Sequence, residues 1–389
     1  MKIFNLKKIS FILIPIFLFF FFIEIVLRIF NVEYPIFQRH DPIRGFSLLP
    51  NSSGTWSREG NGEININKDG LRDVNHQITK SKNFIRIAIL GDSFAEARSV
   101  NLEDTFWFQL KNNLDSCFNF HKGNEIEILN FGVSEYGTTQ QYLTLKNNVW
   151  KYDPDIILLA FYSGNDISDN VKYLSQKKYR PYFLFNEDEI ISIDRSFLDS
   201  RPYKILSSPS GQTFIKLSQY SRILQLFREV YVKAYFKNQN KKKTIKKEQG
   251  LLNKSNVYNP INSEWSNAWF ITEKILNLIN DEVKKKNKSF ILVSLTTPIQ
   301  VNPNLNEVEK YKAKNNINDI FYPEKRLSKF SKKNSIKYIG LAQKMSNLAI
   351  KNNIYFHGFK NTELGTGHWN KLGHNQASKL ISENICKFY

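Results

Sequence analysis

The run Ile85-Arg86-Ile87-Ala88-Ile89-Leu90-Gly91-Asp92-Ser93-Phe94 limits the fold more than any other stretch of this chain. It is short, apolar and β-branched and it stops at a glycine, which predicts a buried strand of a parallel sheet. Glycine tolerates turn conformations closed to other residues, so Gly91 allows Ser93 to be held at the carboxyl end of that strand. Ligands of open α/β sheets bind along that edge. Gly-Asp-Ser is common by chance, so its weight depends on the residues downstream.

Beyond Ser93 the chain alternates between helix and strand patterns. Phe106, Trp107, Leu110 and Leu114 recur at helical spacing within residues 103–114, and Glu125 to Phe131 reads as a second strand. Thr139 to Trp150 reads as a helix and Asp155 to Phe161 as a third strand, ending at Ser163-Gly164-Asn165-Asp166. The order lapses over about 171–260, which reads as an insertion. Within it an amphipathic helix is expected over 220–235, with Ile223, Leu224, Leu226, Phe227 and Val230 on its apolar face. The basic tract Lys241 to Lys247 reads as a solvated loop, with contact to an anionic membrane surface as the alternative. Alternation resumes with a helix over 264–283, in which Trp265 and Trp269 are core residues, and a strand over 289–295. Short strands are expected at 336–341 and 354–356, and a closing helix at 373–386. The pattern predicts a mainly parallel sheet between helical layers.

Two segments precede this domain. Lys2, Lys7 and Lys8 lead into a nearly continuous apolar run from Ile9 to Val26, close to the ~20 residues that cross a bilayer. Positive charge on its amino side keeps that end in the cytoplasm. The bulky residues Glu24 to Phe30 offer no small-residue cleavage site. The expectation is an uncleaved anchor, with residues 9–27 in the bilayer and everything beyond Asn31 on the periplasmic side of the inner membrane. Residues 31–83, rich in turn formers and with an alternating Ile64-Asn65-Ile66-Asn67, read as a small β-rich leader. The domains are thus 1–30, 31–83 and 84–389.

The charge of +19 raises nucleic acid as a partner, but no nucleic-acid module accompanies it and none is expected. Cys117 and Cys386 are the two cysteines. A bridge between them is permitted outside the cytoplasm, and two buried thiols fit equally well.

Serine becomes a nucleophile only with a base in hydrogen-bond reach. Of six histidines, His368 lies between glycine turns just before the last helix, where a loop can return to the sheet edge. His357 is the alternative base, and His374 falls in the first turn of that helix, where it packs or caps. Acyl transfer also needs donors for the developing oxyanion. Asn165 comes after the third strand and loop 131–137 after the second, so both stand on the same edge as Ser93.

Gly91-Asp92-Ser93-Phe94, Asn130-Phe131-Gly132-Val133-Ser134-Glu135-Tyr136-Gly137, Gly164-Asn165-Asp166 and Gly367-His368-Trp369-Asn370 resemble, in order, the four blocks of the SGNH (GDSL-type) hydrolase superfamily. The chain is most similar to its membrane-anchored bacterial members, whose leader resembles residues 41–51 and 67–73. The resemblance covers roughly 40–170 and 265–389. It implies a flavodoxin-like three-layer α/β/α sandwich and esterase-type acyl chemistry with no cofactor or metal. Ser93 is carried over as nucleophile and oxyanion donor, His368 as base and Asn165 as amide donor.

Two positions depart from the pattern. Glu135 stands where the family has the glycine whose N–H enters the oxyanion hole; the backbone donor survives if the loop does not need positive φ. The aspartate expected two or three residues before the histidine is replaced by Thr366 and Gly365, and the nearest upstream acid is Glu363. Three arrangements fit: Glu363 as third member, a Ser-His dyad with a carbonyl or Thr366 holding the ring, or a weakened centre. The implied substrate is an acyl ester, chiefly O-acetyl on a surface polysaccharide, with water or a sugar hydroxyl as acceptor. Two other functions suit the sequence: a glycan-binding or assembly component using a weakened cleft, and a lipid-ester hydrolase working beside the membrane.

Overall fold

The computed structural model describes residues 6–175, 177–186, 189–241, 254–260 and 263–389, with the side chains of 6–10, 12, 186, 189–191 and 235–241 left aside. In the leader, β1 (Gln38–Asp41) pairs with β2 (Gly45–Leu48) and β3 (Ser53–Trp56) with β4 (Gly62–Asn65), both antiparallel. Next come β5 (Phe84–Gly91), β6 (Glu125–Asn130) and β7 (Ile156–Phe161). The insertion contributes an antiparallel hairpin, β8 (Tyr182–Asn186) and β9 (Glu189–Asp194). β10 (Ser289–Ser294) and β11 (Lys337–Gly340) complete the set.

Five of these strands form one parallel sheet in the order β11-β10-β7-β5-β6. Counted along the chain this is the flavodoxin-type 2-1-3-4-5 order, whose connections reverse direction between the first and third strands, here β5 and β7. The two-residue period of the strands sorts the core. Ala88, Leu90, Ile157 and Leu159 face a layer containing Trp265, Trp269, Ile275 and Leu327. Ile87, Ile89, Ile156 and Leu158 face the opposite layer, with Leu110, Met345 and Ile381. Both tryptophans are core residues, as expected.

The helices Phe106–Asp115, Ser263–Lys285 and Lys371–Phe388 match the expected ones to within a few residues. The helix expected over 139–150 is regular only across Thr138–Thr144 and then widens into a π turn at Leu145–Val149. The strand expected at 354–356 is absent: that segment is tied to the closing loop by one isolated bridge, His357 to Trp369. Apolar content alone reads as strand, yet β11 already forms the edge of the sheet. Cys117 and Cys386 form a disulfide with Cα atoms 5.8 Å apart.

The helix Arg222–Lys241 departs from expectation in polarity. Phe227, Val230 and Tyr231 are exposed, whereas Gln225 and Glu229 are buried. Gln225 accepts from Tyr34 N and donates to Ser218 O, and Glu229 pairs with Arg58, so the polar side is the one with partners in the protein. Of the basic tract, residues 242–247 lie outside the described residues.

The first helix, Leu6–Ile29, contains Pro15 and exposes its phenylalanines, Phe11 at 84% and Phe17 at 67%. Among the described residues no helix is long and apolar enough to cross a membrane. Part of the expected 9–27 span, residues 9, 10 and 12, has side chains outside the described set.

The leader is fastened over the sheet edge. Buried Arg72 donates to Val100 O at 2.5 Å and to Glu96 O, and Asp73 accepts the Asn130 N–H at 2.8 Å. Phe37, Phe46, Leu48, Ile64 and Ile66 pack on Val133 and Tyr136 of the β6 loop. The leader therefore forms one wall of the site.

Candidate active site

β5 delivers Ser93 to the reversal point of the sheet. Gly91 is required by close approach, not by a special φ: a Cβ there would lie 2.7 Å from the Ala95 Cβ and 3.3 Å from the Ala160 Cβ. Asp92 caps the short helix Ser93–Glu96 by accepting from Phe94 N at 2.9 Å. Its other oxygen accepts from Asn165 Nδ2 at 2.8 Å, fixing that amide beside the serine. Buried Phe94 lies beneath, its ring centroid 5.0 Å from that of His368. Ser93, Asn165 and the β6 loop therefore meet at one edge, as the sequence implies.

His368 Nε2 lies 2.8 Å from Ser93 Oγ. Its Nδ1 lies 2.5 Å from Glu59 Oε2, while Glu59 Oε1 accepts the His368 backbone N–H at 2.7 Å. One carboxylate thus holds both ring and backbone of the histidine. Glu59 belongs to the turn between β3 and β4 of the leader, 309 residues away.

This corrects the expectation at Glu363. That side chain is exposed, and its residue contributes only a carbonyl, which accepts from Thr366 Oγ1 at 2.7 Å. Thr366 is thereby turned away from the ring as well. The tight loop explains this. Gly365 and Gly367 both adopt positive φ, and a Cβ on Gly367 would collide with Glu59 Oε1. The loop has curled to admit the leader's carboxylate.

The turn bearing Glu59 is clamped in place. Asn361 Oδ1 accepts from Gly60 N at 3.0 Å, and its Nδ2 donates to Ser57 O and Gly60 O. Asn61 N donates to Ser99 O at 3.2 Å. Burial alone pushes the Glu59 carboxyl up, but its hydrogen bonds and the charge of His368 outweigh that and hold it below the usual carboxylate range. Burial likewise disfavours the His368 cation, yet the Glu59 hydrogen bond and charge, helped by Asp92, raise the imidazole above 6.5. A base that accepts a proton from serine and keeps it through the transition state has these properties.

The two histidines nearest to His368 in sequence are occupied. His357 is buried, with Nε2 2.9 Å from Thr296 Oγ1 and Nδ1 2.8 Å from Gly367 O, and burial pushes it down to about 3. His374 accepts from Phe106 N at 3.3 Å and stacks on the Phe106 ring. Neither reaches Ser93; both hold the loop that carries His368 or the helix behind it.

Glu135 takes φ +72°, so the loop does need positive φ there, contrary to the condition set for it, and a non-glycine residue is held in that conformation. Sequence reasoning missed Glu59. Its one local signal is an acid followed by Gly60 in a turn between alternating strands, and nothing in its spacing points to His368.

The parallel sheet, the four sequence blocks and the Ser93–His368–Glu59 contacts come together at one sheet edge, an arrangement able to activate a serine hydroxyl. No family model matches the chain, and no curated protein does. Solved structures do. An acetyl xylan esterase, AlAXEase, is 13% identical with a TM-score of 0.38, covering 76% of this chain and 98% of that one. A catalytic mutant of the acetylxylan esterase Axe2 from Geobacillus stearothermophilus is 10% identical with a TM-score of 0.39, covering 79% and 96%. A GDSL-like lipase from Bacteroides thetaiotaomicron is 12% identical with a TM-score of 0.35, covering 81% and 93%. Similarity at this level says nothing about substrate.

Proposed function

We propose that the chain is an extracytoplasmic serine esterase or O-acyltransferase acting on acyl esters of a surface glycan. The observation that supports this most is the continuous relay Ser93–His368–Glu59. In this reading Ser93 Oγ attacks the ester carbonyl as its proton passes to His368 Nε2. The tetrahedral oxyanion is met by the N–H groups of Ser93 and Glu135 and by the Asn165 amide. Collapse expels the alcohol, which takes the proton from His368. The acyl-enzyme then yields to water or to a sugar hydroxyl by the same steps reversed. A glycan with acetyl groups is implied by the family resemblance rather than by a residue of the cleft.

The test is covalent labelling. A fluorophosphonate probe should modify Ser93 in the folded protein, and Ser93→Ala and His368→Ala should each abolish the label. Folded protein that takes up no label would favour a binding or assembly component instead. Faster turnover of long-chain than of short-chain esters would favour the lipid-ester reading.

We also propose attachment to a membrane through the first helix. The exposed phenylalanines of residues 11–22 support this, as does the outward apolar stripe of Phe227, Val230 and Tyr231. That stripe stands on a helix whose first residues donate to Glu24 of the first helix, Arg222 N at 3.0 Å and Ile223 N at 3.1 Å. Amphipathic aromatic residues favour the bilayer interface, and the disulfide suits an oxidising compartment. Full-length protein should co-sediment with vesicles containing anionic lipid, and replacing Phe19 to Phe22 by serine should release most of it. Equal sedimentation of the two would remove the anchor.

A further inference from the structure

Residues of the unmatched insertion contact Glu135 of the β6 loop. Glu135 is a non-glycine residue held at φ +72°, in a region where side chains crowd the backbone. Two neighbouring insertion residues grip it. Arg180 Nη1 donates to Glu135 O, and Tyr179 Oη donates to Glu135 Oε2, with Lys177 Nζ 3.5 Å from the same oxygen. Arg180 is 2% exposed and its Nη2 pairs with Asp169 Oδ1 at 2.8 Å. Asp169 in turn donates its N–H to Asn165 O at 2.8 Å. One guanidinium thus ties the carbonyl on the far side of Glu135, in the Glu135–Tyr136 peptide, to the turn that bears the amide donor. From the other side, Glu96 of the nucleophile helix accepts the Ser134 N–H at 2.5 Å. Among the described residues the Glu135 N–H itself makes no hydrogen bond.

We propose that Tyr179 and Arg180 are positioning residues of the oxyanion hole, replacing through side-chain contacts the conformational freedom that a glycine at position 135 would supply. The proposal rests on the esterase reading and assigns the insertion a part in it. A residue at positive φ that is held by its carbonyl and its side chain keeps its own N–H in one direction only while those holds last. Loosening the grip weakens binding of the oxyanion, which exists in the transition state, and spares binding of the substrate.

The experiment uses full-length protein and a short-chain acyl ester. Tyr179→Phe, which removes one hydroxyl and keeps the ring, should lower kcat about tenfold with KM within about twofold, a fraction of the 10²–10³ that losing a donor outright costs elsewhere. Introduced into Glu135→Gly, the same Tyr179→Phe change should alter kcat less than about twofold, whatever Glu135→Gly does by itself, because the carboxylate it served is gone. Unchanged kcat in Tyr179→Phe, a loss expressed in KM, or an equal loss in the Glu135→Gly background would each overturn the proposal while leaving the esterase reading intact. A folded wild-type protein with neither turnover nor fluorophosphonate labelling would overturn that reading and this proposal with it. Because Tyr179→Phe leaves the Arg180–Asp169 pair in place, a matching thermal melt separates a positioning effect from unfolding.

Discussion

Glu59→Gln should lower kcat for ester hydrolysis by about 10⁴-fold, the loss measured when the corresponding acid is made an amide in a serine protease. The physical reason is the tautomer. The carboxylate only accepts, so it holds a proton on His368 Nδ1 and leaves Nε2 free to accept from Ser93, 2.8 Å away. An amide can donate to Nδ1 and stabilise the opposite tautomer. Glutamine would still accept the His368 backbone N–H, so the loop should stay in place and the loss should fall on the chemistry. The pH profile carries a second signature. The base works neutral, and Glu59 raises its pKa above 6.5, so the wild-type rate should rise with pH through a value above 6.5. Without the carboxylate that acid limb should move to lower pH. Glu363→Gln should stay within about twofold of wild type, since that side chain is exposed and off the relay. If Glu363→Gln lost as much as Glu59→Gln, the Ser93–His368–Glu59 relay would be wrong.

Arg86→Met should cost about 3–5 kcal/mol of stability, the range for stripping one partner from a buried ion pair. Arg86 is 2% exposed and serves four acceptors: Glu127 Oε2 and Tyr152 O at 2.5 Å, Gln77 O at 2.5 Å and Ile78 O at 2.8 Å. Methionine fills much of the volume and satisfies none of them. His76 stays against Glu127 at 2.8 Å, yet the buried Tyr152 carbonyl and the carbonyls of Gln77 and Ile78 would lose their donor. Gln77 and Ile78 belong to the last part of the leader, so the leader should loosen first. Urea unfolding at constant m should show the loss as a lower midpoint. A shift worth less than about 1 kcal/mol would mean that solvent reaches these carbonyls.

The succession of strands along the chain, the serine after the first of them and the amide after the third were all legible because each is announced within a dozen residues. Ile87 and Ile89 face one layer, Ala88 and Leu90 the other, by the period of the pleat. His368 was legible for a similar reason: glycines on either side of a lone histidine mark a loop that can turn inward. Helix polarity was harder. Phe227 and Val230 obey the helical period, but the period states only that residues share a face. Which face is covered depends on neighbours such as Tyr34 and Arg58, far away in sequence.

The amino-acid sequence by itself determined the parallel sheet, its layers and the placing of Ser93, Asn165 and His368 at one edge, because periodicity, glycine turns and strand ends are local properties of the chain. Only the tertiary structure decided which carboxylate orients His368 and what holds Glu135 at positive φ. A hydrogen bond depends on the distance between atoms and not on separation along the chain. A hairpin turn 309 residues away therefore supplies an acid that the five residues before the histidine do not.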